Sequence, residues 1–122
     1  MAYPSVHKLN VVHLNAHSPS IGASPVAAYV RVPFRCSIEK VAVVAAGIIT
    51  TADCSIAVAL NGSAISGSPF TLPVSGAAAG EIASMTPPAK TYANEDDTIS
   101  FTPSGASGAN IPATFTAVLK QA

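Results

Sequence analysis

Residues 36–62, CSIEKVAVVAAGIITTADCSIAVALNG, form the most apolar stretch of the chain and carry its clearest strand signal. The second half of the stretch alternates with a period of two, which is typical of a strand with one buried face. The larger apolar members of this alternation are Cys54, Ile56, Val58 and Leu60. Asn61-Gly62 then gives a strong tight-turn signal. We therefore predict strands over residues 36–46 and 53–60, separated by a Gly- and Thr-rich connection.

The first of these strands changes phase near Glu39-Lys40. Ile38 and Val41 are both apolar but have opposite parity, so an uninterrupted strand would direct one of them to solvent. One extra residue, as in a β-bulge, would place both side chains on the same face. The alternative is that residues 41–44 are covered on both faces. We favour the bulge.

Cys36 and Cys54 are interpreted as reduced core residues. If the two strands form a hairpin, Cys54 lies near Ala45, and Cys36 lies on the order of 30 Å away at about 3.4 Å per residue. If the chain instead crosses between two sheets at the connection, the two cysteines still separate. A disulfide needs Cα atoms within about 7 Å of each other, so neither layout allows one.

Short strand signals recur along the rest of the chain, and no segment of ten or more residues combines a helical period with caps. The other predicted strands are residues 6–14, 26–32, 70–74, 81–86, 98–102 and 113–120, and a short segment, residues 63–66, follows the Asn61-Gly62 turn. Residues 15–25 and 103–112 are predicted loops because of their Pro, Gly and Ser content. Eight or nine short strands with frequent turns indicate an all-β sandwich or barrel, and eight strands also fit a jelly roll, in which two four-stranded sheets pack face to face. We predict a single-domain β-sandwich of the eight-stranded jelly-roll type.

The length of 122 residues indicates a single domain over residues 1–122. Within it, residues 1–25 comprise an irregular N-terminal arm, a first strand and a loop, and residues 26–122 form the jelly-roll body. Only 10% of the residues are charged, against about 25% in typical domains. A surface with so little charge suits a protein that other subunits partly cover, although a small secreted domain would have a similar composition.

The net charge is zero and the six basic residues are scattered, which argues against nucleic-acid binding. The sequence contains no basic amphipathic helix of the kind that binds membrane surfaces. Its longest apolar run has nine residues, which is too short for a membrane helix. The first residues lack the apolar core of a signal peptide, so we expect synthesis in the cytoplasm without export by that route.

No pattern in the sequence predicts catalysis, a cofactor or a metal site. His7 and His13 would lie roughly 20 Å apart on one strand, too far to share a zinc ion. The acidic run Glu95-Asp96-Asp97 lacks the ligand spacing of a calcium loop, so a solvated turn is expected there. No nucleophile elbow or phosphate-binding loop occurs. We therefore predict that the protein is not an enzyme.

Three segments together resemble the small head-decoration (cement) proteins of tailed bacteriophages. They are PFRCSIEKV at 33–41, GIITTADCSIAVALNGSAIS at 47–66, and TISFTPSGASGANIPATFTAVL at 98–119, the last preceded by a short acidic turn. The resemblance covers about residues 26–120. One position departs from the family pattern, because the glycine that precedes the acidic residue of the turn is Asp96 here.

The resemblance implies a jelly-roll domain that binds the outer surface of a bacteriophage capsid as a homotrimer. Its partners would be the major capsid protein and itself, its location the virion, and its role to stabilise the capsid shell. The alternatives are a phage fibre or receptor-binding head domain that recognises a saccharide or cell surface, and a β-sandwich structural subunit of non-viral origin. The candidate capsid or inter-subunit contacts lie in the N-terminal arm and first loop: Tyr3, Pro4, His7, His17 and Ile21.

Overall fold

The computed structural model describes residues 11–74, 78–104 and 109–121. These residues form ten strands and no helix, and the strands make two antiparallel sheets that pack against each other. The strands are β1 (Val11–Ser18), β2 (Ala28–Arg31), β3 (Cys36–Ala45), β4 (Cys54–Leu60), β5 (Ser63–Ala64), β6 (Phe70–Leu72), β7 (Ile82–Met85), β8 (Tyr92–Ala93), β9 (Thr98–Ser104) and β10 (Ala113–Gln121). The predicted all-β sandwich is confirmed.

Sheet A has the strand order β1-β10-β3-β7, with β8 also paired to β3. Sheet B has the order β2-β9-β4-β5, with β6 also paired to β4. Strands from the two ends of the chain pair first with each other, and pairing then proceeds toward the middle of the chain. Thus β1 pairs with β10, β2 with β9, β3 with β7, and β4 with β5 and β6. Two strands of only two residues, β5 and β8, account for the excess over the eight expected.

The bulge in β3 is confirmed. Val118 of β10 lies opposite Lys40 and the next residue, Leu119, lies opposite Ile38, so Glu39 is the extra residue. Ile38 and Val41 are consequently both buried. Val44 is partly exposed, which rules out the alternative that β3 is covered on both faces.

The chain crosses from sheet A to sheet B between β3 and β4, so these two strands do not form a hairpin with each other. The tight turn that follows β4 is confirmed. Asn61 and Gly62 have φ values of 51° and 86°, and Leu60 pairs with Ser63 across the turn. Two consecutive positive φ values are the requirement of a type I′ hairpin, which favours Asn-Gly.

Two strands are longer than the sequence predicts. β1 continues to Ser18, through residues that we predicted as loop, because each of them pairs with a residue of β10. β9 continues through Pro103 to Ser104, opposite β4. Pairing with β2 ends at Phe101, so one side of β9 is a sheet edge at Pro103, and an edge tolerates a residue without an N–H group.

The core lies between the two sheets and is filled by alternate residues of the long strands. Phe101 of β9 and Phe115 of β10 stack across it, with ring centroids 4.9 Å apart and ring planes 12° apart. Cys36 and Cys54 are buried and form no disulfide, in agreement with the prediction, and the Cys54 thiol donates to the Ile21 carbonyl at 3.8 Å. Burial, and secondarily the negative charge of Asp97, raises the pKa of the Cys36 thiol, which keeps it protonated.

Candidate functional site

The described part of the chain contains no cavity, and no group of three His, Cys, Asp or Glu side chains in it is placed to hold a metal ion. Among the same residues, no helix has the length and apolar character needed to cross a membrane. The most regular surfaces of this part of the protein are the outer faces of the two sheets. The register of the strands determines which side chains are neighbours on these faces.

One end of the outer face of sheet A is apolar and uncharged. Four residues align across its strands in one row: His17, Thr114, Val44 and Ile82. Val44 is 37% exposed and its neighbour Ile82 is 66% exposed. The adjacent row consists of small or polar residues: Asn15, Thr116, Ala42 and Ser84. We call Val44 and Ile82 the aliphatic pair.

The other end of this face carries two lysines, and its outermost row also holds the exposed side chains of Val11 and Tyr92. Lys40 lies opposite Val118, and Lys120 lies one row further along, opposite Ser37. Neither lysine forms an ion pair within the described residues. The nearby carboxylate of Glu39 accepts a hydrogen bond from the Ser37 hydroxyl at 2.7 Å and lies 3.8 Å from the Lys90 ammonium group. We call Lys40 and Lys120 the lysine pair.

The outer face of sheet B carries hydroxyl and methyl groups and almost no charge. Its central row contains Tyr29, Ser100, Ala59 and Ala64. Tyr29 is 66% exposed. The charged residue of this face in β2 is Arg31, whose guanidinium group lies 2.6 Å from the Asp96 carboxylate and 3.8 Å from that of Glu95. These side chains are largely exposed, so their ion pairs contribute little stability.

The acidic run forms a hydrogen-bonded turn before β9. The Asp97 carboxylate accepts a hydrogen bond from the backbone N–H of Asn94 at 2.8 Å, and the backbone N–H of Thr98 donates to the Asn61 side chain at 2.9 Å. Hydrogen bonds from Asn94 and then Asn61 lower the pKa of Asp97, against a smaller opposing effect of desolvation. Asp96, which replaces the glycine of the resembled family, has φ 70°, so the turn keeps its left-handed residue.

The predicted contact residues differ in whether they are exposed or buried. His17 is exposed and occupies the same row as the aliphatic pair. Ile21 is fully buried, and its backbone N–H donates to the Ile111 carbonyl at 2.9 Å, so it belongs to the core and offers no contact surface. Tyr3, Pro4 and His7 lie outside the described residues.

We did not predict the aliphatic pair and the lysine pair as surface features from the sequence. A signal for them existed in β3, because a bulge at Glu39 that turns Val41 inward turns Lys40 and Val44 outward. Ile82 gave no such signal. Its strand of four residues is too short for alternation to show which side is buried.

Comparison with known structures finds a related fold. The chain is similar to a chain in the acid-stable capsid structure of Helicobacter pylori bacteriophage KHP30, with a TM-score of 0.54 and 13% sequence identity. The similarity covers 89% of this chain and 87% of that chain. The resemblance to bacteriophage head proteins is thereby confirmed at the level of the fold.

No protein-family model matches the chain, and no curated protein sequence matches it. The likeness to the capsid chain is therefore one of fold.

Proposed function

We propose that this protein is a structural component of a bacteriophage virion that binds the outer surface of the capsid as a homotrimer and stabilises the shell of major capsid protein. The observation that carries the proposal is the likeness of nearly the whole sandwich to a chain of a phage capsid. The sequence motifs at 33–41, 47–66 and 98–119 support it independently. On this proposal the role is non-enzymatic and the protein is made in the host cytoplasm.

The strand order supports the jelly-roll form of the sandwich. Progressive pairing from the chain ends inward, β1 with β10 and β2 with β9, is what results when a long hairpin of chain is rolled into two facing sheets. With the two-residue strands β5 and β8 set aside, four strands remain in each sheet. We therefore assign the body of the protein to the jelly-roll class.

The proposed stabilisation rests on many individually weak contacts. A small domain offers a modest contact area, but copies that bridge neighbouring shell subunits act together, and a trimer binds with up to three contacts at once. The N-terminal arm, with Tyr3, Pro4 and His7, is proposed to contribute to these contacts. His17 is the member of the candidate set that the structure places on the surface.

The test compares heads of the encoding bacteriophage assembled with and without this protein. The protein should co-purify with heads, and its removal should lower the temperature at which heads rupture and release DNA. Addition of the purified protein to depleted heads should restore the rupture temperature. Equal rupture temperatures with and without the protein, at full occupancy of the heads, would contradict the stabilising role.

The alternative function is that of a fibre or receptor-binding head domain, and the exposed aromatic rings of Tyr29 and Tyr92 favour it. Such rings are common in saccharide-binding surfaces. This function predicts that the isolated protein binds host-cell saccharide and that Tyr29→Ala weakens the binding. Absence of saccharide or cell binding by the isolated protein would leave the capsid role in place.

A further inference from the structure

The outer face of sheet A combines an exposed aliphatic pair at one end with an uncompensated lysine pair at the other. We infer that this face is the docking surface for the capsid shell, and that the shell surface it meets presents aliphatic side chains beside carboxylates. The inference rests on the proposed function and specifies the chemistry of its partner.

The aliphatic end has the character of an interface and not of a solvated sheet. Val44 and Ile82 are cross-strand neighbours, so their side chains form one continuous apolar surface. Ile48, which is 57% exposed, follows β3 at the same end of the sheet. The surrounding row adds Thr114 and His17 and no carboxylate. Covering these side chains would remove apolar surface from water, which favours association.

The lysine end indicates the charge of the partner. Lys40 and Lys120 are exposed, lie one row apart, and have no carboxylate partner among the described residues. The carboxylate closest in sequence, Glu39, is already engaged by Ser37 and Lys90. Two adjacent unpaired ammonium groups attract an acidic surface and disfavour a basic one.

A second copy of this chain fits the face poorly. In a face-to-face dimer, the two-fold axis brings the lysine pair of one copy over either the lysine pair or the aliphatic pair of the other. The first arrangement places like charges together, and the second covers charge with apolar groups. A partner with separate aliphatic and acidic regions avoids both costs.

The size of the face also favours a multivalent shell over a stable dimer. The long strands β1, β10 and β3 are about 26 to 34 Å long and lie about 4.8 Å apart, and with the short β7 and β8 beside β3 the face spans on the order of 500 Å². A stable pairwise interface needs about 800 Å² from each partner. A contact of this size is individually weak and becomes effective when several are made at once, as on a shell of repeated subunits.

Binding of purified protein to depleted heads, measured by co-sedimentation, tests the inference. Ile82→Asp places a charge in the aliphatic pair, and Lys40→Glu and Lys120→Glu each reverse a charge of the lysine pair. Each variant should weaken binding by about ten-fold or more, as expected when a central contact residue is lost. Wild-type binding should also weaken as salt is added. All three positions are exposed, so the variants should keep the wild-type melting temperature.

Matched controls lie outside the face. Thr102→Asp places the same charge on the outer face of sheet B, where Thr102 lies opposite Ala57. Arg31→Glu reverses an exposed cation on the outer face of sheet B. Both controls should bind within about two-fold of wild type, because surface substitutions outside an interface change affinity little.

The outcomes separate this inference from the proposed function. Failure of the wild-type protein to bind heads would overturn the proposed function. If all three variants of sheet A bind heads as tightly as wild type, sheet A is not the docking face, and the proposed function is unaffected. A lower oligomeric mass for isolated Ile82→Asp, measured by light scattering, would show that another copy covers the face and would also overturn the inference.

Discussion

Thr51 is the β-branched member of the three non-glycine residues with positive φ in the described part of the chain, so backbone strain is expected to be greatest there. Thr51 has φ 81°, and the N–H of Ala52 donates to the Thr50 carbonyl across it at 3.0 Å. A three-residue turn with a positive central φ is strained, and a β-branched side chain adds to the strain. The substitution Thr51→Gly should therefore raise the free energy of unfolding by about 1 kcal/mol. Urea denaturation measures this change.

Gly62 provides a matched control in which the free energy of unfolding should change in the opposite direction. It has φ 86°, and a Cβ atom there would meet no atom within 4 Å, so Gly62→Ala carries the backbone cost alone. It should lower the free energy of unfolding by about 1 kcal/mol. A loss of stability in Thr51→Gly similar to that in Gly62→Ala would contradict the assignment of strain to Thr51.

The Asp97 carboxylate gives the turn before β9 a pH dependence. Hydrogen bonds from Asn94 and Asn61 lower its pKa in the folded state, so ionised Asp97 stabilises the fold above the unfolded pKa of about 3.9. This contribution is lost as the pH falls through the lower folded pKa. Asp97→Asn should therefore be less stable than wild type at pH 7, and the difference should shrink below about pH 4.

Thermal melts between pH 7 and pH 2.5 measure the Asp97 effect. Glu95→Gln is the control, because Glu95 is exposed and lies 3.8 Å from Arg31 without a close hydrogen bond. Its melting temperature should follow that of wild type across this range. A constant difference between Asp97→Asn and wild type at every pH would show that the carboxylate charge plays no part.

At the scale of single elements, the bulge in β3 predicts that Glu39 can be deleted without unfolding the protein. The residues on either side of Glu39 pair with consecutive residues of β10, so removal of Glu39 joins two segments that are already in register. The variant lacking Glu39 should fold and lose on the order of 1 kcal/mol, from the contacts of Glu39 with Ser37 and Lys90.

Deletion of Ala42 is the matched comparison. Ala42 pairs with both Thr116 and Ser84, so its loss shifts the register of half of β3 and turns buried residues to solvent. This variant should not fold, as judged by circular dichroism and by aggregation on expression. Equal failure of the two deletions would contradict the position of the bulge.

The same elements show how far the sequence predicts the fold. The alternation from Cys54 to Leu60 and the parity change at Glu39 are local patterns, so they could be read directly and the structure confirms both. The continuation of β1 through residues 15–18 depends on pairing with β10, some hundred residues away in the chain. The assignment of β3 and β4 to different sheets likewise depends on non-local contacts that no short window contains.

The candidate site was less predictable than the fold, for a related reason. Ile21 stands in a polar loop and is buried because the loop is held against residues 109–111 by hydrogen bonds such as that from Ile21 to Ile111. Val44 and Ile82 become neighbours only when β3 and β7 pair. Exposure and adjacency of side chains are properties of the assembled sheets, and the sequence encodes them indirectly.

At the scale of the whole molecule, the two outer faces have different characters. Sheet A presents its aliphatic and lysine pairs, whereas sheet B presents hydroxyl and methyl groups around Tyr29. A protein that stands on a shell needs one face that adheres and another that remains in water. The asymmetry of the sandwich is what the proposed docking requires, with sheet A toward the shell and sheet B toward water.

The proposed attachment of this protein to the capsid can be seen directly in an electron cryomicroscopy map of heads that carry it. We expect sandwich-shaped density in groups of three on the outer surface of the capsid, with the outer face of sheet A toward the major capsid protein. Heads without such density at full expression of the protein, or density confined to the tail tip, would contradict it.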